Sequence, residues 1–408
     1  MNGAFQMRSI PPNATLTRRT ILLGMVGSVA QLTGCGGGGS DVAGLSSGGT
    51  GSFTSGTISG LGSIIVNGIR YNDDSASLIS RDDGSAFGDT LKVGMVVSIE
   101  GSPVTAAATT TGIATATAYR ISCGSEWEGP VSSVGTTSFD MLGLTVDVLA
   151  TTVFEGAATQ LTGLTSLHFV EVHGYVDQTT GRLQASRVEV STTAPTHYKL
   201  SGVVNSFDAG NRTFKLGAGT QFSNQISWDN STLIPTTWSD GVFVRVKMAA
   251  ATPLRATQIR LLTSPLTQLS AEDDRDAEIH GFVSTFVSIA NFTVNGIPVD
   301  ASTARISGGT VALGVRVEIH GSISNGVLMA TKVETPSNTD VATRKFEFHG
   351  TVSALNATAQ RFVLHGLTFK YDTATSIQGV VMADGVRIEI KATRSSGAWL
   401  ATEIRADD

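Results

Sequence analysis

The 408-residue sequence predicts an all-β chain. We expect a tandem array of five small closed or nearly closed β-barrels, about six short strands each, behind an N-terminal signal and a Gly/Ser tether. Three observations lead there. One order of short motifs recurs five times, the motifs alternate apolar and polar residues, and Gly or Asn-Gly stands between them. Alternation of period two is the signature of strands with one face inward. Asn-Gly supplies the positive φ angles of a tight hairpin.

Residues 1–35 read as an export signal. Arg8, Arg18 and Arg19 precede an apolar run from Ile21 to Ala30, and no acid occurs before Cys35. A basic start, an apolar middle and small residues before the cut define such a segment. Leu32-Thr33-Gly34-Cys35 resembles the bacterial lipobox, a resemblance that implies diacylation of Cys35 after cleavage. Thr17-Arg18-Arg19-Thr20-Ile21-Leu22 resembles the twin-arginine export motif, although Arg pairs also begin ordinary signals. Gly36 rather than Asp follows the Cys, which by resemblance to bacterial lipoproteins implies the outer membrane, facing the periplasm or the surface. Residues 36–55 are dominated by Gly and Ser and form the expected flexible linker.

The repeats fill the remainder. An opening Gly recurs at 56, 129, 202, 281 and 350, each with Val or Ile two places on. The copy at 278–335 shows the order most clearly. Glu278-Ile279-His280-Gly281 opens it, and Phe292-x-Val294-x-Gly296 follows. Val317-x-Ile319-x-Gly321 comes next, and Leu328-x-Ala330-Thr331-x-Val333 closes it. Taken as barrels, the units are 56–123, 126–192, 199–263, 278–335 and 347–408. Polar linkers at 192–196, 270–276 and 336–340 separate several of them. A single open sheet of this size would leave two bare edges and one wet apolar face, and closure removes both. Small sandwiches are the alternative architecture. Helical periodicity is almost absent, with one turn near Leu161 the best candidate.

The order Gly-x-Val-Ser, Phe-x-Val-x-Gly, Gly-x-x-Val-x-Val-x-Gly, Leu-x-Ala-Thr-x-Val resembles the bacterial domain-of-unknown-function family 5666. The resemblance runs over residues 56–408, and the third unit departs most, lacking a Gly after Val246. It implies secreted or lipid-anchored proteins and brings no catalytic residues with it.

Composition excludes several classes. Charged residues are 15% and hydrophobic residues 41%, unlike a highly charged disordered chain. No apolar run reaches the roughly 18–20 residues of a spanning helix. The net charge of −6 gives no electrostatic reason to expect nucleic acid. With Cys35 lipidated, Cys123 has no partner and reads as a small residue at a strand end.

Four copies of Glu-x-His-Gly place His173, His280, His320 and His349 two residues from a Glu, on the face opposite the core. Paired strands can gather such residues as a metal site. The plainer reading is solvated cross-strand pairs at barrel rims, because Glu100, Lys247 or Lys391 fills the same slot elsewhere. Asp82-Asp83-Gly84 and the acids of 272–276 read as a solvated turn and linker. Trp127 and Trp399 read as core, whereas Trp228 and Trp238 are the candidates for a ligand-binding surface. No catalytic motif, phosphate loop or cofactor motif is present.

The expectation is therefore a non-enzymatic lipoprotein of the cell envelope. It would be held to the membrane by its lipid and would bind or space an envelope protein or glycan. The alternatives are a metal-dependent binder or enzyme using the Glu-x-His faces, and a carbohydrate-binding array.

Overall fold

The computed structural model describes residues 51–108, 112–217, 224–269, 275–337, 345–395 and 397–407. Barrel 1 comprises β1 (Ser52–Leu61), β2 (Ile64–Val66), β3 (Ile69–Asn72), β4 (Ser77–Ser80), β5 (Val96–Gly101) and β6 (Ala114–Cys123). Barrel 2 comprises β7 (Trp127–Val134), β8 (Ser138–Met141), β9 (Leu144–Gly156), β10 (Phe169–Asp177) and β11 (Arg182–Ser191). Barrel 3 comprises β12 (His197–Asp208), β13 (Thr213–Leu216), β14 (Ile226–Ser227), β15 (Phe243–Ala249) and β16 (Ala256–Leu261), and a short helix α1 (Pro265–Leu269) follows it. Barrel 4 comprises β17 (Asp276–Ser288), β18 (Asn291–Val294), β19 (Ile297–Asp300), β20 (Arg305–Ser307), β21 (Arg316–Ser324) and β22 (Val327–Glu334). Barrel 5 comprises β23 (Phe346–Thr351), β24 (Ser353–Asn356), β25 (Arg361–Leu364), β26 (Leu367–Lys370), β27 (Ser376–Gln378), β28 (Arg387–Ser395) and β29 (Ala398–Ala406).

Closure is clearest in barrel 1. β1 pairs antiparallel with β2, and β2 with β3. β3 and β4 then run parallel to β6. β6 pairs antiparallel with β5, and β5 returns to β1. The third position is split between two short strands, so six segments make a five-position barrel. Barrel 4 repeats this pattern strand for strand. The connectivity is that of the five-stranded Greek-key barrel of the OB type. A 3-10 turn at Leu161–Gly163, the one among the described residues, lies where the sequence puts it. Among the described residues no helix is long and apolar enough to cross a membrane.

The alternating apolar residues fill the barrels as expected: Ile58, Val66, Ile69, Val97 and Ile121 in barrel 1, and Ile279, Phe292, Val317 and Val333 in barrel 4. Three departures matter. The expected tether, 36–55, gives way to strand at Ser52, because Phe53 is buried in the core of barrel 4. The expected linker 270–276 ends in Arg275 and Asp276, both buried. The cores of barrels 2 and 3 merge into one cluster that contains Trp127, whose Nε1–H donates to the Ser201 carbonyl at 2.8 Å.

The barrels dock through strand edges. β1 runs parallel to β17 along Ser52–Ser55, then parallel to β23 at Gly60 and Leu61. β7 and β12 meet at Glu128 and Lys199, so barrels 2 and 3 share one sheet. Gly62 (φ +99) lies so close to the His349 carbonyl that any side chain there would collide with it.

Candidate functional site

Each of the four histidines sits on a strand whose alternate residues enter the barrel. Val172, Ile279, Ile319 and Phe348 point inward, and the histidines point outward. A solvated rim is the sequence expectation for them, and the structure corrects it. His173, His280, His320 and His349 are 1%, 5%, 7% and 3% exposed. Their outward faces are covered because neighbouring barrels close over them.

His173 lies on the sheet shared by barrels 2 and 3. One register line crosses that sheet through Glu155, Glu189, Glu171, Glu128, Lys199, Lys247 and Gln258. Four glutamates thus face two lysines across the barrel joint. On the adjacent line, His173 stands beside Arg187, which pairs with Glu155 and with Glu189 at 2.7 Å. Neither ring nitrogen of His173 has a hydrogen-bond partner among the described residues. Burial, with Lys199 and Arg187 nearby, holds its pKa well below the ordinary histidine value. Burial pushes Glu128 up to about 7.

Barrel 1 docks on this plate with Asp82, which the sequence reading places in a solvated turn. Asp82 instead receives Arg245 at 2.9 Å, Lys199 at 3.1 Å and Lys247 at 3.7 Å. Glu126 receives Arg245 and Arg81, each at 2.9 Å, and the Ser201 hydroxyl donates to it at 2.5 Å. Burial alone would raise both carboxyls. Lys199 and Arg245 outweigh it at Asp82, Arg81 and Arg245 outweigh it at Glu126, and both are held at about 2. A cavity of about 140 Å³ opens beside this network, lined by Arg81, Arg245, Arg260, Tyr175 and Asn295 among others.

In barrel 4 the strands β17 and β21 oppose Glu278 to His320 and His280 to Glu318. The result is an alternating square, with Glu278–His280 at 3.1 Å, His280–Glu318 at 3.6 Å and Glu278–His320 at 3.7 Å. Burial lowers the pKa of His320. Burial, opposed by the hydrogen bond with Thr54 at 2.6 Å, pushes the neighbouring Tyr71 phenol up to about 12.

Barrel 5 gathers a different set. His349 Nε2 lies 3.0 Å from Glu347 Oε1, and its Nδ1 lies 2.8 Å from Asp407 Oδ1. Glu389 stands opposite His349 on β28. Glu347, His349 and Glu389 each offer a ligand atom within 4.8 Å of the others, the one such group among the described residues. Burial alone would lower His349, but the bonds to Glu347 and Asp407 outweigh it and raise its pKa. Sequence reasoning singled out His349 and its Glu347, and missed Glu389 and Asp407. The Arg387-x-Glu389-x-Lys391 alternation carried the signal for Glu389. Asp407 follows β29 with no pattern to mark it.

The remaining candidates divide. Trp228 is 9% exposed and packs with Trp238, Phe207 and Phe214, with ring centroids 4.6–5.8 Å apart. A buried Trp228 is no open platform, which corrects its placement on a surface, and Trp238 is half-buried beside it. Cys123 ends β6, fully buried, its thiol pushed up to about 12 by burial. Arg18, Arg19, Leu32, Gly34 and Cys35 lie outside the described residues.

No curated protein matches the chain. Among solved structures the chain is similar to Drosophila Unr CSD456, at 14% identity over 52% of this chain and 98% of that one, with a TM-score of 0.13. The profile described as "Domain of unknown function (DUF5666)" matches at 53–109, 128–189, 280–334 and 349–405. Barrel 3 lies outside those matches and yet pairs β12 with β13 and β15, and β15 with β16, in the same antiparallel order, with isolated parallel bridges at Ser227–Arg255 and Leu233–Gln258 on the return. With more than half of its residues matched in four tandem copies, the chain belongs to the DUF5666 family.

Proposed function

We propose that the protein is a non-enzymatic, lipid-anchored scaffold of the bacterial cell envelope, which spaces or presents a binding surface to an envelope protein or glycan. One observation carries the scaffold reading. The charged side chains that could serve chemistry are turned on one another across barrel joints, as Asp82, Glu126, Arg245 and Lys199 are. Such pairs add little net stability over apolar packing but fix how the parts meet. A fixed arrangement of barrels suits spacing better than turnover.

The anchoring rests on Leu32-Thr33-Gly34-Cys35 behind the apolar run, and on the Gly/Ser stretch that follows. Stable attachment needs more than one acyl chain, which diacylation at Cys35 would supply. Cleavage before Cys35 removes three arginines and no acid, so the net charge goes from −6 to −9. That charge disfavours nucleic acid as a partner. The test is incorporation of labelled palmitate and recovery in the membrane fraction, for the wild type and Cys35→Ala. Loss of both in the variant supports the reading, and labelling that survives the substitution overturns it. Partners are then sought by co-purification from the membrane fraction.

A further inference from the structure

The geometry points to a divalent-cation site of zinc type at Glu347, His349 and Glu389, set in the joint between barrels 5 and 1. It is independent of the scaffold reading and of the lipid anchor.

The argument starts from the imidazole. Nδ1 of His349 lies 2.8 Å from a carboxylate oxygen of Asp407. A lone pair facing a carboxylate at that distance repels, so Nδ1 carries the hydrogen and donates it. Arg70 Nη1, at 3.2 Å from Nδ1 and 3.8 Å from Asp407, adds positive charge beside that carboxylate. Arg387 holds the other oxygen of Asp407 at 2.6 Å. A histidine whose far nitrogen donates to a fixed carboxylate is the usual arrangement of a metal ligand, because the bond sets both tautomer and ring orientation.

Nε2 then faces Glu347 Oε1 at 3.0 Å. With a lone pair on each side, something positive must stand at that point, either a proton or a metal ion. Ligand atoms around a tetrahedral zinc with bonds near 2.0 Å lie on the order of 3.3 Å apart, close to the separation present. Glu389 completes the set. Both of its contacts with Arg405, at 3.0 Å and 2.8 Å, fall on Oε1, so the arginine holds the carboxylate by one end. Binding releases the proton from Nε2 to solvent, as metal capture by histidine requires.

One imidazole and two carboxylates favour a borderline cation over calcium, which takes oxygen ligands in larger number. The location gives the ion a consequence. Gly60 of β1 pairs with Glu347, Gly62 abuts the His349 carbonyl, and Arg70 reaches from barrel 1 to His349. An ion held here ties the residues on which barrel 1 rests.

The test uses the full chain stripped with EDTA and equilibrium dialysis against zinc, with calcium in a parallel arm. Wild type is expected to hold one zinc per chain. Glu347→Gln and Glu389→Gln, which keep shape and hydrogen-bonding capacity, should each weaken binding at least tenfold. Asp407→Asn should weaken it by roughly tenfold to a hundredfold. His320→Gln, in the barrel 4 square, should leave it unchanged. Zinc should also raise the unfolding temperature of wild type and not that of the two Gln variants, whose metal-free unfolding checks that they fold. Wild type that holds no zinc, undiminished binding in both Gln variants, a loss in His320→Gln, or calcium bound as tightly as zinc would each overturn the assignment.

Discussion

Asp82 is one carboxylate that three cations from another barrel converge on, and it sits beside Glu126 in the same network. Arg245 bridges the two acids and is 3% exposed. Arg245→Met is therefore expected to destabilise the protein by about 3–5 kcal/mol, since it leaves buried carboxylates short of a partner. Chemical denaturation measures this, and a loss below 1 kcal/mol would show that the network is slack. The acids also set a pH response. Both have folded pKa values near 2, below their ordinary 3.8 and 4.5. Their contribution is whole above about 4.5 and is lost as pH falls through the folded values. The denaturation midpoint should fall steeply between pH 4.5 and 2. His173 acts with the same sign in another window. The unfolded chain takes a proton near pH 6.5 that the buried ring refuses, so stability drops as pH falls below 6.5. Glu128, raised to about 7, opposes it, so the measurable quantity is a difference. His173→Leu should lose less stability than wild type between pH 7 and 5, and equal slopes would refute the assignment. None of this was legible in the sequence. Asp82 lies 117 and 163 residues from Lys199 and Arg245, and no local pattern ties them.

The opening glycine of barrels 1, 4 and 5 has its explanation at the scale of the strand and its hairpin. In barrel 4, Asn295 sits at φ 49° in the turn and folds back over Gly281, where its Nδ2 donates to the His280 carbonyl at 3.2 Å and its Oδ1 accepts the Phe282 N–H at 3.2 Å. A side chain on Gly281 would collide with that amide. Asn67 bolts the first barrel over Gly56, and in barrel 5 the job falls to His365, which bonds the His349 carbonyl at 2.7 Å. Gly281→Ala should cost about 1–3 kcal/mol by overpacking. Asn295→Gly keeps the positive φ and removes the amide. In the double variant the two costs should fall short of their sum, because the collision is gone. Additive costs in a denaturation cycle would sink this account. The sequence displays both halves of the device, the recurrent Gly and the Asn-Gly turn. It does not display that one exists for the other, because the bond forms across strands. Strand order and core were legible because a period of two needs only local spacing.

At the scale of the molecule, the sequence reads as units in file, whereas the structure pairs barrel 1 with barrels 4 and 5. Backbone edges are chemically alike, so nothing in a motif says which edge meets which. Repeat arrays in which each unit touches only its neighbours unfold almost additively. Here barrels 2 and 3 share a core and a sheet, and barrel 1 places Phe53 inside barrel 4. Calorimetry should therefore resolve fewer than five transitions, with barrels 2 and 3 melting together. Five independent transitions would contradict the shared core. Phe53→Ala should cost about 3–5 kcal/mol and be felt in barrel 4, read by the hydrogen-exchange rates of β17 and β21.

The pairing of β1 with both β17 and β23 also bears on how the molecule is made. A nascent chain that has emerged from the ribosome only as far as residue 269 carries a first strand already paired with β2 and β5, while its stretches Ser52–Ser55 and Gly60–Leu61 wait for β17 and β23. Each of those stretches stays bare on one side until the C-terminal units emerge, and a chain stopped early offers them to other chains.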